Sequence, residues 1–310
     1  MLNRRILRIK VMQALYGFIQ GGQTEIEKKE KELSQSIEKI YDLYLYLLSL
    51  LIEVQHFAKL SIEDAKNKKL PSNDDLNPNM KFVENSILSN ISSNPLLLKE
   101  LHTRKISWQN DLDLVRKLFS DIKASEIYKE YMSSESSDPV FQAKFVESII
   151  RNIIGDHELV NHYFEDKNIH WSDDMYIAIN GLLKSIQGNN FQLLTLFKDS
   201  KEDKQFARDL FMKCAMHSAE FETMISAKTQ NWELDRIAFL DVLLMKMALT
   251  EVLFFSSIPL KVSLDEYIEI SKNYSSQKSK LFINGVLDKI IAELKNENKI
   301  VKTGRGLIEN

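Results

Sequence analysis

Residues 4–16 read RRILRIKVMQALY and combine a helical apolar pattern with a cluster of positive charge. The basic residues of this stretch are Arg4, Arg5, Arg8 and Lys10. The first eighteen residues contain no acidic side chain. Apolar residues recur at the spacing of one helix face, which predicts a helix over residues 3–20 with a basic first part. A local excess of positive charge attracts the phosphate groups of nucleic acids.

A second informative stretch lies near the other end of the chain, where residues 280–289 read KLFINGVLDK. Lys278 and Lys280 stand at the predicted start of this helix. Positive charge at a helix N-terminus is unfavourable for the helix dipole, so the two lysines indicate an anionic partner. We interpret the two stretches as parts of one domain that binds RNA.

The composition predicts an all-α protein. The 310 residues include only nine glycines and five prolines, and leucine, isoleucine, lysine and glutamate are abundant, as expected for long helices with short connections. The net charge of -3 excludes a protein that is basic throughout. Any affinity for nucleic acid must therefore come from local patches.

The single cysteine, Cys214, excludes an internal disulfide and a zinc site built from cysteines. Its apolar helical surroundings predict a buried thiol, and a reducing cytoplasm fits this usage. Charged and polar residues interrupt the apolar part of the N-terminal stretch, so we expect no secretory signal. The apolar run from Leu43 to Val54 is shorter than the roughly 20 residues that a membrane span needs. We therefore expect a soluble cytoplasmic protein without membrane contact.

One segment of the chain resembles another at a constant offset. Residues 145–186 align with residues 206–247 at an offset of 61 residues, and Trp171 then matches Trp232. Several other aligned positions are apolar in both segments. The alignment predicts a degenerate helix-loop-helix duplication, although two amphipathic helix pairs can also share spacing by chance.

A series of short motifs in the last third of the chain resembles the NusB family of transcription antitermination factors. The motifs follow the family pattern in order: Trp232–Arg236, Ala248–Glu251, Ile258–Val262, Asp265–Glu266 and Phe282–Asp288. The stretch from Arg4 to Tyr16 is similar to the opening of the same family.

The resemblance implies a NusB-like helical bundle that carries a large insertion after its first helix. The expected organisation is residues 1–20 as the first helix, 21–200 as a helical insertion that contains the possible repeat at 145–186, and 201–298 as the remainder of the bundle. The glycine-containing tail, residues 299–310, is predicted to be disordered.

The resemblance also implies a function and a set of partners. Members of the family recognise boxA elements of ribosomal RNA leader transcripts together with NusE, a ribosomal protein, and act on the RNA polymerase elongation complex indirectly. The predicted RNA-binding residues are Arg4, Arg5, Arg8, Lys10, Lys278 and Lys280. Asp241 matches an acidic position on the helix that the family presents to NusE.

Enzyme functions find little support in the sequence. It contains no glycine-rich phosphate loop, nucleophile elbow or zinc-binding histidine pair, so we predict no catalytic residue, no metal site, no cofactor and no small-molecule substrate. NusB-like domains also occur fused to RNA cytosine methyltransferases, but that enzyme would need a cofactor loop and catalytic cysteines that are not present here. The alternative that stays open is a non-catalytic helical scaffold that keeps the NusB fold without specific RNA recognition.

Overall fold

The structure, a computed structural model, describes residues 1–22, 24–188, 190–229 and 237–307. These residues form fifteen α-helices and no strand, which confirms the predicted all-α class. The helices are α1 (Arg4–Gln20), α2 (Ile26–Lys66), α3 (Asn73–Leu76), α4 (Ser86–Ser92), α5 (Pro95–Arg104), α6 (Leu112–Ala124), α7 (Glu126–Ser133), α8 (Pro139–Ile149), α9 (Glu158–Lys167), α10 (Trp171–Ser185), α11 (Ser200–Met216), α12 (Ser218–Lys228), α13 (Phe239–Phe254), α14 (Leu260–Tyr274) and α15 (Ser279–Asn296). A π-helical turn, Ile150–Ile154, extends α8.

The chain divides into two compact units. Unit 1 comprises Met1 and residues 38–196, and unit 2 comprises residues 2–37 and 197–310. The predicted borders of the insertion, at residues 21 and 200, therefore differ from the borders of the compact unit. The first part of α2 groups with unit 2, where Glu30 lies 3.9 Å from Arg208 of α11.

Unit 2 is built around α1 and α13. Asn3 caps α1 by accepting a hydrogen bond from the Ile6 backbone N–H, as expected of an asparagine at this position. α1 packs against α11, α13 and α14, and its apolar side chains are buried. Cys214 is also buried, and burial raises the pKa of its thiol to about 12, in agreement with the inert buried cysteine predicted from the sequence.

The long helix α2 provides the core of unit 1 over most of its length. Among the described residues it is long and apolar enough to cross a membrane by length and composition. Its apolar side chains, however, take part in packing within the unit. Tyr44 is fully buried and its hydroxyl lies 2.7 Å from Ser185 of α10, while Trp171 donates a hydrogen bond to the Lys39 carbonyl. These contacts are typical of the central helix of a globular unit.

The two segments of the predicted repeat have similar helix boundaries. α8 with its π-helical turn spans residues 139–154 and α11 spans 200–216, so the first helices correspond at the offset of 61 residues. α9 and α12 correspond in the same way. Phe145 and Phe206, which the alignment pairs, are both buried. Trp232 lies outside the described residues. The third helices do not correspond, since α10 ends at Ser185 and α13 at Phe254, a difference of 69 residues, and the duplication stays a prediction.

The tail lies against unit 2 over its described part. Residues 299–307 contact the turn after α13, residues 308–310 lie outside the described residues, and the disorder of 299–310 stays a prediction. Thr303 donates its backbone N–H to the Ser256 carbonyl at 3.0 Å, and Lys302 donates to the Phe255 carbonyl at 3.1 Å. A Cβ on Gly306 would lie 1.9 Å from the Ser256 oxygen, so only glycine permits this close approach.

Trp108 provides a test of the core of unit 1. Its side chain is fully buried, stacks on Tyr163 with ring centroids 4.9 Å apart, and donates a hydrogen bond to Ser49. We expect Trp108→Ala to lower the free energy of unfolding by about 3–5 kcal/mol, because it leaves a cavity and removes the hydrogen bond to Ser49. Urea denaturation with hydrogen exchange read separately in α2 and α13 measures the loss and assigns it to unit 1. Leu70→Ala, at a side chain that is 91% exposed, is the control and should have little effect. Equal stability of the two variants would contradict this account of the core.

Candidate nucleic-acid interface

Arg8 lies inside unit 2 and pairs with a buried glutamate. Its residue is 2% exposed and Glu251 of α13 is fully buried. Arg8 donates from Nε to Glu251 Oε2 at 2.8 Å and from Nη2 to Oε1 at 2.6 Å. This parallel arrangement of two donors and two acceptors is the strongest geometry available to an arginine and a carboxylate. The pair therefore joins α1 to α13 through the core.

Two further donors complete the coordination of Glu251. Ser263 and Tyr267 of α14 donate their hydroxyls to Oε1 and Oε2 at 2.8 Å and 3.0 Å. Burial alone disfavours the charged form of Arg8, but the hydrogen bonds and charge of Glu251 raise its pKa above the usual value. Burial, together with the nearby Glu251 carboxylate, raises the pKa of Tyr267 well above its usual value. The cluster therefore holds one ion pair with four hydrogen bonds to the carboxylate in the core.

A second carboxylate connects this cluster to the surface. Glu266 of α14 lies 3.4 Å from Arg8 Nη1 and accepts two hydrogen bonds from Arg5, from Nε at 2.9 Å and from Nη2 at 2.8 Å. The Arg5 side chain is 46% exposed, against 20% for Glu266. The hydrogen bond to Glu266 raises the pKa of Arg5. Arg5 thus has one edge fixed by a carboxylate and its remaining donors near solvent.

Arg4 is also paired. Its Nε donates to Asp203 of α11 at 3.2 Å, its Nη2 lies 3.7 Å from Glu202, and its guanidinium stands 4.4 Å from the centre of the Phe206 ring. The side chain stays 38% exposed. Asp203 is only 11% exposed, so a phosphate would compete for this guanidinium with a partly buried carboxylate.

Lys10 does not lie at the surface. It is 2% exposed, as Arg8 is, so neither residue offers its charge to a phosphate in this structure. The helical periodicity of α1 explains the difference from Arg4 and Arg5, because Arg8 and Lys10 fall among its buried residues. Of the four predicted basic residues of α1, only Arg4 and Arg5 are available to an anion.

Lys278 and Lys280 have the exposure expected of a phosphate-binding pair. Lys278 is the N-cap residue of α15, and both lysines are exposed. No carboxylate of the described residues lies within 4.0 Å of either ammonium group. The pKa of Glu269 in α14 is lowered, first by a hydrogen bond from Lys272 and further by the charges of Arg5 and Lys280. Arg5 of α1 and Lys280 of α15 therefore both lie near Glu269 of α14, and the surface around them is called the face shared by Arg5 and Lys280 below.

Asp241 occupies a different environment from the one predicted. It is 4% exposed, and its carboxylate accepts a hydrogen bond from the Ser275 hydroxyl. Ser275 in turn lies 2.9 Å from Ser279, also buried, at the start of α15. Asp241 therefore does not offer its carboxylate at the surface for a partner. It fixes the turn between α14 and α15, next to Lys278 and Lys280.

Sequence reasoning missed the two carboxylates that organise this surface. Glu251 and Glu266 lie in motifs that match the family, but nothing local in the sequence pairs them with arginines more than 240 residues away. Among the described residues no group of histidine, cysteine and acidic side chains could hold a metal ion.

Comparison with known proteins identifies the family. The model of the NusB family matches residues 177–292. Transcription antitermination protein NusB of Salinibacter ruber is 45% identical over 105 residues, 34% of this chain and 66% of the relative. The protein of the same name from Geobacter sulfurreducens is 37% identical over 112 residues, 34% of this chain and 81% of the relative. The chain belongs to the NusB family, and the name of these relatives describes no enzyme, in agreement with the prediction.

The similarity is confined to part of each protein. The homologue from Chloroherpeton thalassium is 39% identical over 106 residues, which are 34% of this chain and 50% of the relative. The chain therefore spans only 66% of the length of the Salinibacter relative and 50% of the Chloroherpeton relative. No solved structure matches it significantly. The additional N-terminal region fits a long form of the family.

The burial of Arg8 leads to a stability prediction. We expect Arg8→Ala to lower the free energy of unfolding by about 3–5 kcal/mol, because it leaves the Glu251 carboxylate buried without its cation. Urea denaturation at pH 7 measures the change. Arg208→Ala is the matched control, since that side chain is 61% exposed and its ion pair with Glu30 should contribute only about 0–1 kcal/mol. A stable Arg8→Ala variant that loses RNA binding would instead make Arg8 a surface contact.

Proposed function

We propose that this chain is an RNA-binding transcription antitermination factor that acts on boxA-type sequences of ribosomal RNA leader transcripts together with NusE. The observation that carries the proposal is the match to antitermination proteins over 81% of the Geobacter relative, combined with a basic face in the matching unit. In this proposal the chain is cytoplasmic and reaches the RNA polymerase elongation complex only through its RNA and protein partners.

The distribution of charge supports RNA binding by unit 2. Unit 1 contains 17 lysines and arginines against 23 aspartates and glutamates, a net charge of -6, whereas unit 2 contains 24 against 21, a net charge of +3. Unit 2 also contains the ends of α1 and α15 where the available cations lie. The negative charge of the whole chain is thus compatible with a local phosphate-binding surface.

The available cations have complementary roles in this proposal. Arg5 is held by Glu266 and keeps donors for a phosphate or for stacking on an unpaired base. Lys278 and Lys280 provide exposed charge, and Arg4 adds a partly exposed guanidinium. Arg8 and Lys10 support the surface from inside the unit. About three to four phosphate contacts to single-stranded RNA imply a slope of log affinity against log salt of roughly -2 to -3.

The scaffold function stays the second candidate, because a specific observation favours it. Arg4, Arg5 and Arg8 each have a carboxylate partner within the chain, so the protein does not need an RNA ligand to satisfy them. Lys278 and Lys280 favour RNA instead, since no described carboxylate pairs with them. The effect of a lysine substitution on RNA binding therefore distinguishes the two functions.

Fluorescence anisotropy with a labelled boxA-type RNA and a scrambled RNA, with and without NusE across a salt series, tests the proposal. We expect preference for the boxA sequence that strengthens with NusE. Arg5→Ala combined with Lys280→Ala should weaken binding about three- to tenfold and make the salt slope shallower by about 1.4, as two lost contacts to single-stranded RNA require.

Lys201→Ala combined with Lys289→Ala is the matched control, because it removes two exposed charges of unit 2 away from the face shared by Arg5 and Lys280. The control should bind boxA RNA nearly as the unchanged chain does. Absence of any preference for boxA, with NusE present or not, would overturn the proposal and favour the scaffold. Equal weakening by both double variants would show that the overall charge, not this face, governs binding.

A further inference from the structure

A surface groove of about 800 Å³ lies along α14, α15 and the C-terminal tail. Its lining includes Lys261 near the start of α14, Lys295 at the end of α15 and Lys302 in the tail. Asp265 is the acidic residue that lines it. The volume lies within the range of about 300–1,000 Å³ that is common for ligand sites.

The charges of this groove are largely available. Lys261 and Lys295 are exposed, and among the described residues no carboxylate lies within 4.0 Å of either ammonium group. Lys302 is half-buried beside the Phe255 carbonyl, and burial lowers its pKa. Three lysines against one aspartate make the groove complementary to an anion.

The groove continues the face described above. Lys280, Asn284 and Lys295 fall within an arc of about 60° on α15, and the helix rises about 22 Å from the first to the last. Asn284 lines the groove as well. α14 and α15 pack against each other, and the short turn between them places the end of α14 near Lys280. Lys280 and Lys295 thus stand near the two ends of one side of α15, with Asn284 between them.

The tail provides an apolar wall to the same groove. Val301 and Leu307 are 61% and 66% exposed and both line it. Residues of the tail lie beyond position 292, where the match to the family model ends. Exposed aliphatic side chains next to lysines suit a nucleotide, whose phosphate is anionic and whose base has apolar faces.

We propose that this groove binds the single-stranded RNA that flanks the segment held at Arg5 and Lys280. The inference rests on the proposed function and extends it, because it gives the RNA a second contact region that begins at Asn284, one helical turn from Lys280, and ends at Lys295, about 22 Å along α15. Lys261 and Lys295 hold phosphates, and the apolar wall formed by Val301 and Leu307 contacts a base.

The test compares two RNAs and three proteins. One RNA contains only the boxA-type segment, and the other adds single-stranded nucleotides at both ends. Anisotropy titrations across a salt series use the full chain, Lys261→Ala combined with Lys295→Ala, and the control Lys201→Ala combined with Lys289→Ala. We expect the groove variant to bind the short RNA unchanged and the extended RNA about three- to tenfold more weakly, with a salt slope shallower by about 1.4.

The outcomes separate this inference from the function on which it rests. If the unchanged chain binds neither RNA, the proposed function fails. If it binds both and the groove variant is indistinguishable from the control on the extended RNA, only the groove inference fails. Retained RNA binding with weakened NusE binding in the groove variant would make the groove a protein-binding surface and overturn the inference. Leu307→Ala on the extended RNA adds an uncharged readout, and it should weaken binding without changing the salt slope.

Discussion

The ion pair between Arg8 and Glu251 is the interaction on which the organisation of unit 2 depends. Two charges in a core are unfavourable unless their hydrogen bonds are complete, because each loses several kcal/mol of hydration. Here Glu251 accepts two bonds from Arg8 and one each from Ser263 and Tyr267. The requirement for all four donors fixes α1, α13 and α14 in one arrangement, since a shift of any of these helices would leave a buried charge unsatisfied. An apolar contact of similar area would restrict these helices less.

This constraint also determines which charges reach the surface. Arg8 uses Nε and Nη2 to bind Glu251, and its remaining nitrogen, Nη1, lies 3.4 Å from Glu266. Glu266 in turn accepts two hydrogen bonds from Arg5 and so fixes the orientation of the Arg5 guanidinium. Carboxylates and guanidinium groups therefore alternate from the core to the exposed side of α1, in the order Glu251, Arg8, Glu266, Arg5. Arg5, at the end of this series, is held by Glu266 before any ligand binds. Its side chain therefore loses less conformational entropy when its remaining donors bind a phosphate. The lysines of α15 are ordered differently, through the Asp241, Ser275 and Ser279 hydrogen bonds at the preceding turn.

The sequence predicted the helical class, the basic start of α1 and the exposed lysines of α15 because these follow from local periodicity and composition. It could not predict that Arg8 is buried while Arg5 is exposed, since both lie in the same basic stretch and the difference depends on Glu251, 243 residues further along the chain. Asp241 shows the same limit, because its role depends on the Ser275 hydroxyl in another turn. The tail is predicted to be disordered from its composition, and the missing Cβ of Gly306 permits a contact with Ser256 that no local pattern reveals.

The acidic insertion need not prevent RNA binding by the basic face. Exposed charges more than about 8–10 Å apart are largely screened at physiological salt, so the charges of unit 1 that lie beyond this distance act weakly on a phosphate at Lys280. At low salt the screening length grows severalfold, and the net charge of -6 on unit 1 then opposes the approach of RNA more strongly. Contacts between lysines and phosphates become stronger at low salt, because forming these contacts releases counterions. In the proposed function, the local arrangement of Arg5, Lys278 and Lys280 therefore governs affinity for RNA under physiological conditions.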